Sequence, residues 1–106
     1  MARNDSLDVA DRVRLLRALA FQIRRKHPAD EAFTEVVELE FRGGRHKLFR
    51  PAGDALAESG FVAAVKMLGL IGEEAAVVLE VVVDANDHRL LAGVLERLAD
   101  HTEQSA

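Results

Sequence analysis

The sequence predicts a small α+β domain in which a helical bundle packs on a short antiparallel β-sheet. Three observations favour this fold class: helical periodicity at both ends of the chain, an alternating apolar segment followed by a Gly-Gly pair, and a late segment rich in β-branched residues. The predicted order is helix, strand, strand, helix, helix, strand, helix. The 106 residues, 49% hydrophobic and 30% charged, have the composition of one globular domain.

The first predicted helix runs from Asp8 to Lys26. Its apolar residues recur every three or four positions, which is typical of a helix with one buried face, and Pro28 follows as a stop signal. Residues 1–7 are expected to form a flank that offers capping oxygens. The buried stripe is predicted to contain Val9, Val13, Leu16, Ala20 and Ile23.

The middle of the chain predicts a β-hairpin. Glu35–Phe41 alternates apolar and acidic residues, as a half-buried strand does. Gly43 and Gly44 can adopt the positive φ angles of a tight turn, and Arg45–Arg50 is the expected return strand. The register of this hairpin is left open by the sequence.

The next segment predicts two short helices. A first helical stretch from Asp54 to Glu58 is interrupted at Ser59 and Gly60. The second helix follows, with Phe61, Ala64, Val65 and Leu68 on its buried face. Gly69 suits the left-handed position after the last helical turn.

The last part of the chain predicts a strand and a final helix. Ala76–Val83 is rich in valine and is interrupted by one acid, so we expect a strand. Asp84, Asn86 and Asp87 offer caps for a helix that buries Leu91, Val94, Leu95 and Leu98. The single domain is expected to span residues 8–101, with a polar tail at 102–106.

Composition indicates a cytosolic protein. The chain has no cysteine, which suits a reducing compartment, and its apolar runs are too short to span a bilayer. Residues 1–50 carry 11 Lys and Arg against 8 Asp and Glu, whereas residues 51–106 carry 3 against 10. The basic first half can attract an acidic partner, although an uneven distribution of surface charge without function explains it equally well.

The residues provide little for catalysis. Ser6, Ser59 and Ser105 lie in a terminus, a helix cap and a tail, and the four histidines do not share metal-ligand spacing. There is no phosphate-binding glycine loop, and the acidic chain has no Tyr or Trp to stack on bases. We therefore expect no enzyme activity, no metal, no cofactor and no nucleic-acid partner.

One basic cluster is the main candidate for a functional site. Residues 42–50 of the predicted hairpin contain five basic residues and no acid. Phe41 precedes this segment, and Phe49 lies within it. A solvated hairpin explains the cluster as well as a small site for an anionic peptide does. The cluster consists of Arg42, Arg45, His46, Lys47 and Arg50.

The order of these features resembles the PUB domain, found in peptide:N-glycanase and in some UBX proteins. The segment from Ile23 to Phe33 is similar to the family's Asn-Pro-x-Asp-Glu-Lys-Tyr region, with Phe33 at the tyrosine. The segment from Val62 to Leu70 is similar to the family's Gly-Ala-x-x-x-Leu helix and its Gly-aromatic end. The central Ile-Arg-x-x-Asn-x-x-Phe pattern matches less well, with His46 at the asparagine and Phe49 at the phenylalanine.

The resemblance implies an adaptor that binds the acidic, aromatic-ended C-terminal tail of the AAA ATPase valosin-containing protein, in ubiquitin-linked protein handling. The basic cluster would meet the acids of the tail, and an apolar slot would hold its aromatic residue. Because His46 stands in place of the asparagine, the polar contact of that asparagine is not expected here. The expected peptide-binding residues are Phe33, Arg42, Arg45, His46, Lys47, Phe49, Arg50, Gly69 and Leu70.

Two other functions remain open from the sequence. The domain could self-associate through the free edge of the predicted hairpin, as a weak homodimer rather than a monomer. It could also be a small enzyme or ligand-binding domain, which needs a pocket with convergent polar groups. The sequence does not show whether the chain is a fragment of a larger protein.

Overall fold

The computed structural model describes residues 7–105, apart from the side chains of residues 46 and 48, and this part of the chain contains six helices and no β-strand. The α+β prediction is therefore wrong, and the fold is a helical bundle. Of the predicted flank, the described part contains Leu7 only. The helices are α1 (Val9–Arg24), α2 (Ala29–Arg42), α3 (His46–Ser59), α4 (Phe61–Met67), α5 (Glu73–Asp84) and α6 (His88–Gln104).

Helix α1 begins where a side chain can cap it. The Asp8 carboxylate accepts a hydrogen bond from the backbone N–H of Asp11 at 2.8 Å, which satisfies one of the free donors of the first turn. The helix ends at Arg24, two residues before the predicted end at Lys26. The predicted amphipathic helix is confirmed, and its buried face contains Val13, Leu15, Leu16, Leu19, Ala20 and Ile23.

Helix α2 replaces the first predicted strand. The alternation over Glu35–Phe41 is only seven residues long, and a longer helical pattern competes with it. Ala32, Phe33, Val36 and Val37 form one buried face at helical spacing, whereas Leu39 is exposed. The strand prediction failed because the buried stripe begins before the alternating segment and has the period of a helix.

Helix α3 replaces the second predicted strand. A turn between helices α2 and α3 replaces the expected hairpin turn. Gly44 has a positive φ of 93° there, so the Gly-Gly pair does make a turn, but between helices. Phe49 and Ala52 are fully buried three residues apart. Pro51 lies inside α3, where it cannot donate a hydrogen bond to the carbonyl group four residues earlier.

Helix α4 follows a sharp break, as predicted. Gly60, with a φ of 98°, separates α3 from α4, and Gly69 has a φ of 77° after α4. The backbone N–H of Leu70 donates to the carbonyl of Val65, and that of Gly69 donates to the carbonyl of Lys66. This pair of bonds is a Schellman motif, so the predicted left-handed role of Gly69 is confirmed.

Helix α5 replaces the predicted strand at Ala76–Val83. Ala76, Leu79 and Val82 are buried at three-residue spacing, and Glu73 and Glu74 lie in the first turn, where the helix dipole favours acids. A strand needs a neighbour to pair its backbone groups, and the described chain provides none. Although α5 is rich in valine, no helix between residues 7 and 105 is long and apolar enough to cross a membrane.

Helix α6 completes the core against α1. Asp87, one of the three predicted cap residues, caps it by accepting a hydrogen bond from the N–H of Leu90 at 3.0 Å. It extends to Gln104 and so contains most of the predicted polar tail. Three ion pairs from α1 to α6 border the packed faces: Arg17 contacts Asp100 and Glu103, and Arg24 contacts Glu96.

Truncation of a buried leucine tests this arrangement. We expect Leu95→Ala, at a fully buried position of α6, to lower the free energy of unfolding by about 2–5 kcal/mol because it removes packed methyl groups and leaves a cavity. The matched control is Leu90→Ala on the same helix, where the side chain is 47% exposed and the expected change is within about 0.5 kcal/mol. Urea titration followed by circular dichroism measures both. Equal losses from the two variants would contradict the packing of α6.

Candidate functional site

The apolar residues expected to line a peptide slot lie in the core. Phe33 and Phe49 are buried, and the ring of Phe33 packs edge-to-face on Phe61 with the ring centroids 6.2 Å apart. Leu70 is buried behind the turn at Gly69. The structure therefore does not bring these four site residues together at a surface slot, because the helices that replace the hairpin bury the aromatic rings.

Arg45 is held in an internal network of ion pairs. Its Nη2 lies 3.1 Å from an Asp11 carboxylate oxygen, and its Nη1 lies 3.9 Å from Glu40. Arg14 donates to Glu40 at 2.6 Å and to Asp11 at 3.2 Å. These four residues join the start of α1 to the end of α2 and to the turn before α3. Arg45 thus has a structural role that the sequence pattern does not show.

The network shifts the pKa of Asp11 and of Arg14. Burial disfavours the charged form of Asp11, but hydrogen bonds from Arg14 and Arg45 outweigh burial and lower the pKa of this carboxyl group. The hydrogen bond to Glu40 raises the pKa of Arg14. Both shifts favour the charged forms of Asp11 and Arg14.

Three other basic residues form an exposed corner where α2 turns into α3, here called the basic corner: Arg42, Lys47 and Arg50. Within residues 7–105, none of the three forms an ion pair with an acid. Lys47 and Arg50 are three positions apart on α3 and therefore share a face. The side chain of His46 lies outside the described part of the structure.

The basic corner coincides with the start of α3. The first turn of this helix contains no acid, and its N-cap residue makes no side-chain capping bond. A helix N-terminus carries partial positive charge, so cations there are unfavourable to the helix itself. Lys47 and Arg50 therefore add to a positive potential that attracts anions.

An apolar groove between α1 and α2 begins at this corner. The groove encloses about 360 Å³, and two large apolar side chains that line it are exposed, Phe21 by 57% and Leu39 by 60%. Arg42 also lines it, and the guanidinium of Arg25 lies 5.4 Å from the centroid of the Phe21 ring. We call this the α1–α2 groove; its lining residues are Ala18, Phe21, Gln22, Glu35, Val36, Glu38, Leu39 and Arg42.

The charges of the groove are arranged along α2. Glu35 and Glu38 precede Arg42 by seven and four residues, which corresponds to about 10 and 6 Å at the helical rise of 1.5 Å per residue. Glu35 and Glu38 therefore lie on α2 away from the basic corner, and Arg42 lies at the end of the groove that meets it.

Phe21 and Leu39 are the site residues that sequence reasoning missed. Phe21 could have been found, because it lies on the helical face opposite the buried stripe of α1. The strand prediction places Leu39 on a buried face, whereas the helical period of α2 exposes it.

Other parts of the surface offer less chemistry. A second cleft of about 320 Å³ lies between the start of α2 and the turn from α5 to α6, but Asp87 in its wall is already engaged as a helix cap. No group of three His, Cys, Asp or Glu residues in the described chain is placed to hold a metal ion. The α1–α2 groove with the basic corner is the best-developed site.

Comparisons of the chain with models of protein families, with curated proteins and with solved structures found no match. The resemblance to the PUB domain accordingly stays a prediction.

The ion-pair network predicts a pH-dependent stability. Asp11→Asn is expected to lower the unfolding free energy at neutral pH by about 1 kcal/mol, because Arg14 and Arg45 lose a charged partner. The pKa of Asp11 is lower in the folded state than in the unfolded state, so the advantage of the wild type exists above the ordinary aspartate pKa of the unfolded chain and disappears as the pH falls through the lower folded value.

Urea titrations of both proteins from pH 7 down to about pH 2 measure this difference. Asp54→Asn is the control, since Asp54 is exposed and belongs to no ion pair in the described chain. A difference between wild type and Asp11→Asn that stays constant over the whole pH range would contradict the network.

Proposed function

We propose that this protein is a peptide-binding adaptor domain that takes an acidic, aromatic-ended segment of a partner protein. The aromatic residue occupies the α1–α2 groove between Phe21 and Leu39, and the carboxylates of the segment meet the basic corner. The observation that carries this proposal is the exposure of two large apolar side chains beside an arginine that has no acidic partner in the described chain.

Hydrophobic burial supplies the affinity in this proposal. Phe21 and Leu39 are each more than half exposed, and covering such side chains is worth about 1 kcal/mol or more apiece. Exposed charge pairs contribute less, about 0.2–1 kcal/mol each, but they orient the ligand and accelerate its association. A micromolar, salt-sensitive complex is the expected result.

The ligand implied by the PUB resemblance meets these requirements. The tail of a valosin-containing-protein-type ATPase is acidic and ends in an aromatic residue with a free carboxylate, so it has one group for the groove and others for the corner. Our proposal moves the binding site from the predicted hairpin to the α1–α2 groove, because Phe33, Phe49 and Leu70 are buried. We place this function in the cytosol, which the lack of cysteine suits.

The alternative of self-association through a hairpin edge loses its physical basis. An unpaired strand edge is what such a dimer would use, and residues 7–105 contain no strand. The cleft beside α5 and α6 and the lack of a metal-binding group in the described chain also give little support to a small enzyme. Peptide binding is the function with the most support.

Fluorescence anisotropy with a labelled acidic peptide that ends in an aromatic residue tests the proposal directly. We expect micromolar binding at low salt, and a loss of roughly tenfold for Leu39→Ser or for Arg42→Glu. The matched control for the charge change is Arg89→Glu, an exposed cation at the start of α6 and outside the groove. Affinity that increases with salt would contradict the charged contacts.

Two further results would overturn the proposal: no binding of the peptide at low salt, or an equal loss from Arg89→Glu and Arg42→Glu. A peptide with an amidated C-terminus is expected to bind less tightly than the free acid, because one negative charge for the basic corner is removed.

A further inference from the structure

Helix α5 exposes a second apolar surface. Three of its valines are largely accessible: Val77 is 66% exposed, Val78 is 55% exposed and Val81 is 67% exposed. Val77 and Val81 are one helical turn apart, and Val78 lies beside them, so the three form one stripe on the side opposite to the buried residues of α5. The stripe is here called the valine face.

Local stability does not explain these residues. Valine is a weaker helix former than glutamate, lysine or alanine, because its branched side chain loses freedom against the preceding turn. Three exposed valines therefore cost helix stability and also keep apolar surface in water. A molecule that covers the face removes the second cost and so offsets the first.

Acids border the valine face. Glu73, Glu80 and Asp84 lie along one edge of the stripe at spacings of seven and four residues, and Glu74 lies at its N-terminal end. Glu73 contacts Lys66 at 3.0 Å, whereas Glu80 and Asp84 make no ion pair within residues 7–105. Helix α5 itself contains no Lys, Arg or His.

This charge pattern disfavours a dimer in which the valine faces of two copies pack on each other. In an antiparallel two-fold pair of α5 helices, the acidic edge of one helix would face the acidic edge of the other. In a parallel pair, the acidic edge would face Glu74 and Val78, again without a cation. Like charges at such positions are destabilising, so a second α5 is a poor occupant.

We infer that the valine face is a docking surface for a basic amphipathic helix of a partner protein. Apolar residues of the partner at i, i+3, i+4 and i+7 would cover the three valines, and its Lys or Arg residues would meet Glu80 and Asp84. The surface is separate from the α1–α2 groove, because α5 packs against α4 and α6. The domain would then join an acidic segment on one surface to a basic helix on another.

The test uses a labelled model peptide with leucines at i, i+3, i+4 and i+7 and with lysines elsewhere. A control peptide has the same composition but scattered leucines. We expect the amphipathic peptide to bind in fluorescence anisotropy at least roughly tenfold more tightly than the scattered one. Equal binding of the two peptides would show charge attraction alone and would overturn the inference.

The decisive variant is Val77→Glu combined with Val81→Glu. It adds two negative charges, so charge attraction alone would strengthen the binding of a basic peptide, whereas loss of the apolar contact weakens it. We expect a loss of at least roughly tenfold, with a folded protein, because glutamate is the better helix former. Tighter or unchanged binding would overturn the inference.

Two other variants complete the test. Glu80→Lys with Asp84→Lys is expected to weaken binding and to reduce its salt dependence, and an unchanged affinity would argue against the acidic edge. Leu39→Ser, in the α1–α2 groove, is expected to leave the affinity for the basic peptide unchanged. A negative result with the acidic peptide would therefore not contradict the inference about the valine face. A negative result with the basic peptide would not contradict the proposed function of the α1–α2 groove.

Other occupants give different results. Light scattering of the wild type without peptide is expected to show a monomer at high concentration. A dimer that Val77→Glu and Val81→Glu abolish would place a second copy on the face and overturn the inference. Binding to vesicles of anionic phospholipid that the same variant abolishes would assign the face to a membrane and would also overturn it.

Discussion

The packing of α1 against α6 is the interaction on which the rest of the domain depends. These two long helices, from the two ends of the described chain, bury leucines such as Leu16 and Leu95 completely. Ala20, Ala92 and Ala99 are also fully buried, and such small side chains allow close approach of helices. The pairs that join Arg17 to Asp100 and Arg24 to Glu96 run in opposite directions along the two helices, so the helices are antiparallel.

This packing determines which surfaces remain free. Because one face of α1 is buried with α6, its opposite face carries Phe21 into the groove beside α2. Helix α5 packs on α4 and α6 with one narrow side only, which leaves the valine face uncovered. The two surfaces differ in charge: the groove ends in cations, and the valine face is bordered by acids. Under our two proposals, these surfaces would bind two different partners.

Short sequence patterns gave wrong predictions of secondary structure where a strand period and a helical period compete. Val37, Leu39 and Phe41 alternate as in a strand, yet Phe33, Val36 and Val37 also follow a helical period. The residues with the helical period are the buried ones. The valines of α5 favour a strand locally, but a strand without a neighbour leaves its backbone groups unpaired. Arg45 likewise looked equivalent to Arg42, and only the fold brings Asp11 and Glu40 to it.

Features that depend on neighbouring residues follow directly from the sequence. The first and last helices with their buried stripes, the break at Gly60, the left-handed turn at Gly69 and the cap at Asp87 are all local. The all-helical class and the separation of buried from exposed residues in the middle of the chain emerge only in the folded molecule. Burial depends on contacts between residues far apart in the sequence, and a local pattern does not contain those contacts.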